Sequence, residues 1–291
     1  MNYIMLFISV LLLAFNFSVT KVYQKKEGIA PIAGFRFNAY VGLFTAVLFL
    51  AVNGFKLNVT GFSLLMAALV NTLTTLYTVI GFKIMESGSM ARYMMFLMTG
   101  GMTVPYVWGL LFLDEKFSWL RTVGLIIIIL GIVFSNLSKE KTDFKQLLLC
   151  LSVFFINGFV SVFSKVHQVA VSFETVSTTD FVILGGILKF TIATIIGFIL
   201  SKKSVNEVKT KSKKLKFILM ITAGSAILSG ASYFIQLWAA SSLPSTVLYP
   251  FVTGGSIILT SLAGCIFFKD KLSKMMILGI CSCFIGTLMF L

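Results

Sequence analysis

Charge is what this chain of 291 residues most lacks. Only 12% of its residues are Asp, Glu, Lys or Arg, about half the share in an ordinary soluble domain. A soluble protein of this length could not cover its surface with so few. Histidine occurs once, at His167, and there are only ten acidic residues. That leaves little for a metal site or for acid–base catalysis. Cysteine and proline number four each, too few for a disulfide scaffold or a Pro-rich disordered chain. Cys150, Cys265, Cys281 and Cys283 all lie in apolar segments with no CxxC pair, so they read as small core residues. No Walker-type phosphate loop is present, and no cofactor is expected.

What is abundant is apolar surface: 58% of residues are hydrophobic, 30 of them Phe, and mean hydropathy is +0.99. A helical span takes about 20 residues, so the length holds about ten spans and no sizeable soluble domain. Punctuation cuts ten segments near 3–23, 31–52, 60–82, 88–112, 118–137, 145–167, 175–200, 216–239, 243–267 and 273–291. The first has no basic start and no small-residue cleavage site, so it is expected to stay as a span. The fold class expected is an all-α polytopic membrane protein.

The net charge of +14 would suggest nucleic acid in a soluble chain. Here the basic residues sit in short connections, where they report topology and headgroup contact. No nucleic-acid partner is expected.

The chain repeats itself. Shifted by 155 residues, Phe112-Leu113-Asp114-Glu115-Lys116-Phe117-Ser118 falls on Phe267-Phe268-Lys269-Asp270-Lys271-Leu272-Ser273. Gly124 then falls on Gly279, Gly131 on Gly286, Ser87 on Ser242 and Gly100 on Gly255. The first spans align at a shift of 141, with Asn16 on Asn157 and Thr20 on Ser161. This predicts two five-span repeats, 1–137 and 145–291. Five is odd, so the second repeat enters the membrane inverted. The charges agree: odd-numbered loops hold 18 of the 24 Lys and Arg, and even-numbered loops hold four. Inverted repeats recur in secondary transporters, with the solute site between the halves near the midplane.

These residues resemble a known family. Ala14-Phe15-Asn16-Phe17, then Lys21 and Arg36, are similar to the opening of the EamA-like branch of the drug/metabolite transporter superfamily. Pro105, Leu113-Asp114-Glu115-Lys116, Gly124 and Gly131 resemble its end-of-repeat signature. Tyr249-Pro250, Asp270-Lys271, Gly279 and Gly286 resemble the second copy. The likeness runs over essentially the whole chain. It departs at Phe15-Asn16, where a Trp-Gly pair is usual, and at Asp270, where Glu is usual. The resemblance implies ten helices in two inverted halves and gradient-driven movement of small metabolites. The charge bias puts the odd loops in the cytoplasm and both termini outside; family members are commonly drawn with both termini inside.

Polar residues within the spans recur at helical spacing. Span one carries Asn16, Thr20, Tyr23 and Gln24; span three Asn71, Thr75 and Thr78; span six Asn157, Ser161, Ser164, Lys165 and Gln168. Span eight carries Ser225, Ser229, Ser232, Tyr233 and Gln236, and span nine Thr246, Tyr249, Thr253, Ser256 and Thr260. Each set shares one helix face. Such faces either line a hydrated pathway or glue helices together. Spans five and ten have almost no polar face and belong at the periphery or in helix packing. Gly100-Gly101 and Gly254-Gly255 read as close-packing sites, and Trp108, Trp119 and Trp238 fit interface belts.

Three charges lie inside spans. Lys189 sits near the middle of span seven, where an ionised residue is costly and therefore a functional candidate. Arg36 could bind an anionic group bidentately or anchor its helix at the headgroups. Asp180 could pair with Arg36 or Lys165, or carry a coupling proton. The pathway residues expected are Asn16, Thr20, Arg36, Asn71, Thr75, Asn157, Ser161, Lys165, Asp180, Lys189, Ser229, Tyr233, Gln236 and Tyr249.

The function expected is alternating-access transport of a small amphipathic solute, amino acid-like or otherwise, across the cytoplasmic membrane, in the direction of export and with proton coupling open. The mixture of aromatic, amide and basic groups suits an organic anion or a zwitterion. The partners expected are a small-molecule solute and the lipid bilayer, and a homodimer is compatible with this reading. The rivals are a lipid-carrier flippase or non-transporting membrane-complex subunit, and a membrane-embedded enzyme, which the scarcity of His, Asp and Glu disfavours.

Overall fold

The computed structural model describes residues 2–28, 30–86, 90–136, 144–203, 212–268 and 274–290. It is all-helical among these residues. The helices are α1 (Asn2–Glu27), α2 (Pro31–Val52), α3 (Gly61–Glu86), α4 (Met90–Phe112), α5 (Trp119–Asn136), α6 (Phe144–Val169), α7 (Thr178–Lys203), α8 (Ser212–Ala240), α9 (Ser245–Phe268) and α10 (Lys274–Leu288). They begin and end within a few residues of the segments cut from the sequence. Six of them are long and apolar enough to cross a membrane. Their outer faces carry exposed apolar residues such as Leu64, Phe198 and Ile227. This is a membrane-embedded chain, whose backbone polar groups are satisfied within helices.

Local chemistry sets the ends. Pro31 opens α2, where its missing N–H costs nothing, after an extended Ala30. The same helix closes at Asn53, whose N–H returns to Phe49 O at 2.9 Å, while Phe55 N–H returns to Leu50 O at 2.8 Å. Gly54 and Phe55 take left-handed φ values of 63° and 59° there.

Small residues set how the helices pack. Lipid tails are as apolar as Leu, so close backbone approach rather than hydrophobic burial joins membrane helices. A β-carbon on Gly42 would stand 2.8 Å from Gly186 O, and one on Gly186 would stand 2.9 Å from Gly42 O, so α2 and α7 cross at these glycines. Helices α4 and α6 cross at Gly100, which lies on the Phe154 carbonyl, and at Gly158. Helices α5 and α10 meet at Gly124 on Gly286 O and at Gly131 on Gly279 O, and so run antiparallel. That pair packs on itself, with outer faces at Ile126, Leu130, Leu278 and Ile285 exposed.

The neighbours of each helix come mostly from the other end of the chain. Helix α1 packs on α8 and α9, α6 on α3 and α4, and α2 and α7 on each other. One apolar core gathers Leu6, Val10, Met102, Ile128 and Leu248, and a second gathers Phe49, Ala67, Phe181, Val182 and Leu237. Between the two cores the polar faces are left over.

Candidate functional site

Those faces enclose a cavity of about 390 Å³, within the range of about 300–1,000 Å³ typical of small-molecule sites. Eight helices contribute to it; α5 and α10 do not. Nine of the residues expected on the pathway line it: Asn16, Asn71, Asn157, Ser161, Lys189, Ser229, Tyr233, Gln236 and Tyr249. Apolar walls come from Leu13, Phe17, Val41, Val70, Leu97 and Val252.

The lining polar groups also join helices, so the stripes both line and glue. Ser225 Oγ donates to Asn16 Oδ1 at 2.6 Å. Asn157 Nδ2 donates to Leu97 O at 2.7 Å, and Ser161 Oγ to Gly101 O at 3.2 Å. Tyr249 OH donates to Ser161 O at 2.6 Å. Gln236 Nε2 donates to Ser9 Oγ and Ser232 Oγ at 3.2 and 3.0 Å, where the two serines also bond across α1 and α8. Asn71 Nδ2 donates to Ala67 O and Ser229 Oγ to Ser225 O, each within its own helix. Lys189 differs from all of these. It lines the cavity from the middle of α7, and no hydrogen bond or ion pair holds its Nζ among the described residues.

Five expected residues stand outside the cavity. Thr20 and Thr75 donate back to their own helices, at Asn16 O (2.9 Å) and Asn71 O (2.7 Å). Arg36 faces Glu27 at 3.6 Å and so ties α2 to the end of α1. Lys165 reaches the end of α8, where Nζ donates to Ala240 O and Leu243 O, both at 2.6 Å. Ala240 O is one of the carbonyls that the C-terminus of α8 leaves without a helical partner, Leu243 O belongs to the turn that follows, and the cation also suits the dipole there. Asp180 pairs with neither Arg36 nor Lys165. Its carboxylate accepts from Asn53 Nδ2 (2.9 Å), Asn58 N and Nδ2 (both 3.3 Å) and Ser177 Oγ (2.9 Å). It braces Ser177, whose Oγ caps α7 by accepting the Asp180 N–H at 3.1 Å, and it holds the loop after α2, so both oxygens are committed.

Glu115, quoted above only as part of a motif, has a matching role. Its oxygens accept from Ser245 N at 2.6 Å and Thr246 N at 2.8 Å, the orphan donors that start α9. Gly109 leaves room for that carboxylate, since a β-carbon there would stand 2.6 Å from Oε2. The turn between α8 and α9 is thus held by Lys165 on its carbonyls and Glu115 on its N–H groups. Lys165→Met keeps the length of the side chain but strands two carbonyls. It should destabilise the protein by about 1–3 kcal/mol, read as a lowered thermal midpoint in detergent; an unchanged midpoint would show the contact to be idle.

Sequence reasoning missed Thr45, Gly42 and Ser9. Thr45 follows Asn38 by seven residues on α2, a sparse pair beside the longer stripes, and Gly42 lines the cavity only because α7 crosses there. Ser9 carried a usable signal, because it lies seven residues before Asn16 and extends its face.

No protein-family profile matches the sequence, and no curated protein matches it either. Solved structures do match the fold. One, described only as "Crystal structure of protein", aligns with a TM-score of 0.76 at 11% identity, over 99% of this chain and 95% of that one. Identity so low speaks to the fold alone.

Proposed function

We propose that the protein is a secondary transporter of the EamA-like kind that moves a small amphipathic solute through the central cavity by alternating access, in the direction of export across the cytoplasmic membrane. The observation that carries this reading is a cavity between faces from both ends of the chain, where amide, hydroxyl and lysine groups are set among apolar walls. Its setting supports an inverted repeat of ten spans. At the shift of 155 residues Gly124 is equivalent to Gly279, and Gly131 to Gly286. The contacts are Gly124 with Gly286 and Gly131 with Gly279, so exchanging the halves turns each contact into the other. The helices run antiparallel there, as a two-fold axis perpendicular to them requires. The neighbours of α1 (α8 and α9) and of α6 (α3 and α4) exchange in the same way. Such halves can rock about a site at their interface.

Both anchored turns lie at even-numbered loops. There Asp180 and Glu115 each join one half to the other. This supports a conformation shut at that end, and opening it requires both carboxylates to let go. The test is uptake and efflux of labelled amino acids, carboxylates and amines in proteoliposomes, with and without a proton gradient. Saturable flux of at least one class is expected. Scrambling of labelled lipid with no solute flux would overturn the proposal in favour of a lipid-carrier flippase.

A further inference from the structure

Consider the depth of every charge. The described acidic residues fall in connecting segments or in the first or last turn of a helix: Glu27 and Glu86 end α1 and α3, Asp180 begins α7, and Asp114, Glu115 and Glu174 lie between helices. No carboxylate lines the cavity among the described residues. Of the described basic residues, only Lys189 lies more than about two turns, some 7 residues, from both ends of its helix. Asp180 is nine positions away on α7, about 14 Å along the axis, and its oxygens are occupied. The cavity therefore holds one lysine amine, mid-helix, with no carboxylate beside it among the described residues.

An unpaired charge in a low-dielectric site is costly, and an anion that enters removes that cost. We infer that the cavity selects organic monoanions, with a carboxylate seated at Lys189 Nζ and an uncharged, largely apolar body against Phe17, Val70 and Val252. This rests on the reading of the cavity as the solute site and narrows its substrate class. A zwitterion fits worse, because its ammonium enters beside Lys189 with no carboxylate to meet it. A dianion would leave one negative charge unmatched. Asn16 supports the assignment: its oxygen is taken by Ser225, which leaves its NH2 as a donor. Asn157 and Gln236 have their NH2 groups engaged. Their oxygens offer neutral acceptors for a hydroxyl or amide on the body but no charge for a second cation.

The test is equilibrium binding to the purified full chain in detergent, with matched carboxylates, amino acids and amines carrying phenyl, isobutyl and methyl bodies, for example 3-phenylpropanoate, phenylalanine and phenethylamine. The carboxylate of at least one set should bind about ten-fold or more tightly than its amino acid, by the like-charge cost of the added ammonium, and its amine should bind more weakly still. Lys189→Gln should reduce carboxylate affinity at least ten-fold and erase the ranking, while Lys189→Arg keeps it. Removing a cation that has no partner should not lower the thermal midpoint, so both variants should fold. The inference is overturned if amino acid or amine binds as tightly as carboxylate, if no carboxylate binds, or if Lys189→Gln leaves its affinity unchanged. Carboxylate that binds through Lys189 but is never transported would overturn the transport reading alone. Amine flux without carboxylate binding would overturn this inference alone.

Discussion

Gly100→Ala should be the most damaging single methyl that can be added to this protein. The new β-carbon would land on the Phe154 carbonyl, with Phe154 Cα 2.6 Å away. Backbone meets backbone there, so no side chain can swing aside, and α4 and α6 must part. Overpacking of this kind costs about 1–3 kcal/mol, and the top of that range is expected. The partner helix answers in kind, since a β-carbon on Gly158 would stand 2.9 Å from Gly100 O. The measurement is the yield of monodisperse protein after detergent extraction, with the thermal midpoint. Gly224→Ala is the control, because nothing lies within 4 Å of its added β-carbon. It should leave the midpoint unchanged or raise it slightly, as Ala favours helix over Gly. Equal behaviour of the two variants would contradict this account of the crossing.

Asp180→Ala should have the next largest effect. Asp180 is 1% exposed and accepts from Asn53, Asn58 and Ser177. Its own N–H donates to Ser177 Oγ at 3.1 Å, so Ser177 caps the start of α7 and Asp180 holds that hydroxyl in place. Truncation leaves several donors unmet and removes a carboxylate from a helix N-terminus, where the dipole favours it. Hydrogen bonds to a charged group are worth about 1.5–3 kcal/mol, and a loss of roughly that size or somewhat more is expected. Asp180→Asn should recover part of it, because one oxygen remains to accept. The thermal midpoints of the two variants test this. A midpoint unchanged by Asp180→Ala would show that α7 and the loop after α2 are held by something else.

The sequence made the helices legible because the signal is local: long apolar runs end at Asn53-Gly54, at Pro31 and at basic clusters. Lys189 was legible for the same reason, as an ammonium in an apolar run stands out whatever surrounds it. Lys165 and Asp180 were legible as charges but not in their roles. Lys165 bonds residues 75 and 78 positions further along the chain, and Asp180 bonds residues more than 120 positions back. Helical spacing reports which face a residue shares, never which helix will lie against it. For that reason Asn16 and Asn71 fell on the cavity, while Thr20 and Thr75, on the same faces, turned back to their own carbonyls. Thr45 left only a faint pattern, because Asn38 alone shares its face at helical spacing.

The interleaving of the helices bears on how the protein is made. Helix α1 rests on α8 and α9, and α2 on α7 and α8. The first five helices therefore leave the ribosome well before the surfaces they pack on exist. Until α8 arrives Asn16 has no Ser225, and until α9 arrives Glu115 has no N–H groups to hold. The first half must wait in the bilayer as separately inserted helices, and assembly completes only near the end of synthesis. Because each half supplies mainly what the other lacks, two halves made as separate polypeptides in one membrane should still find each other.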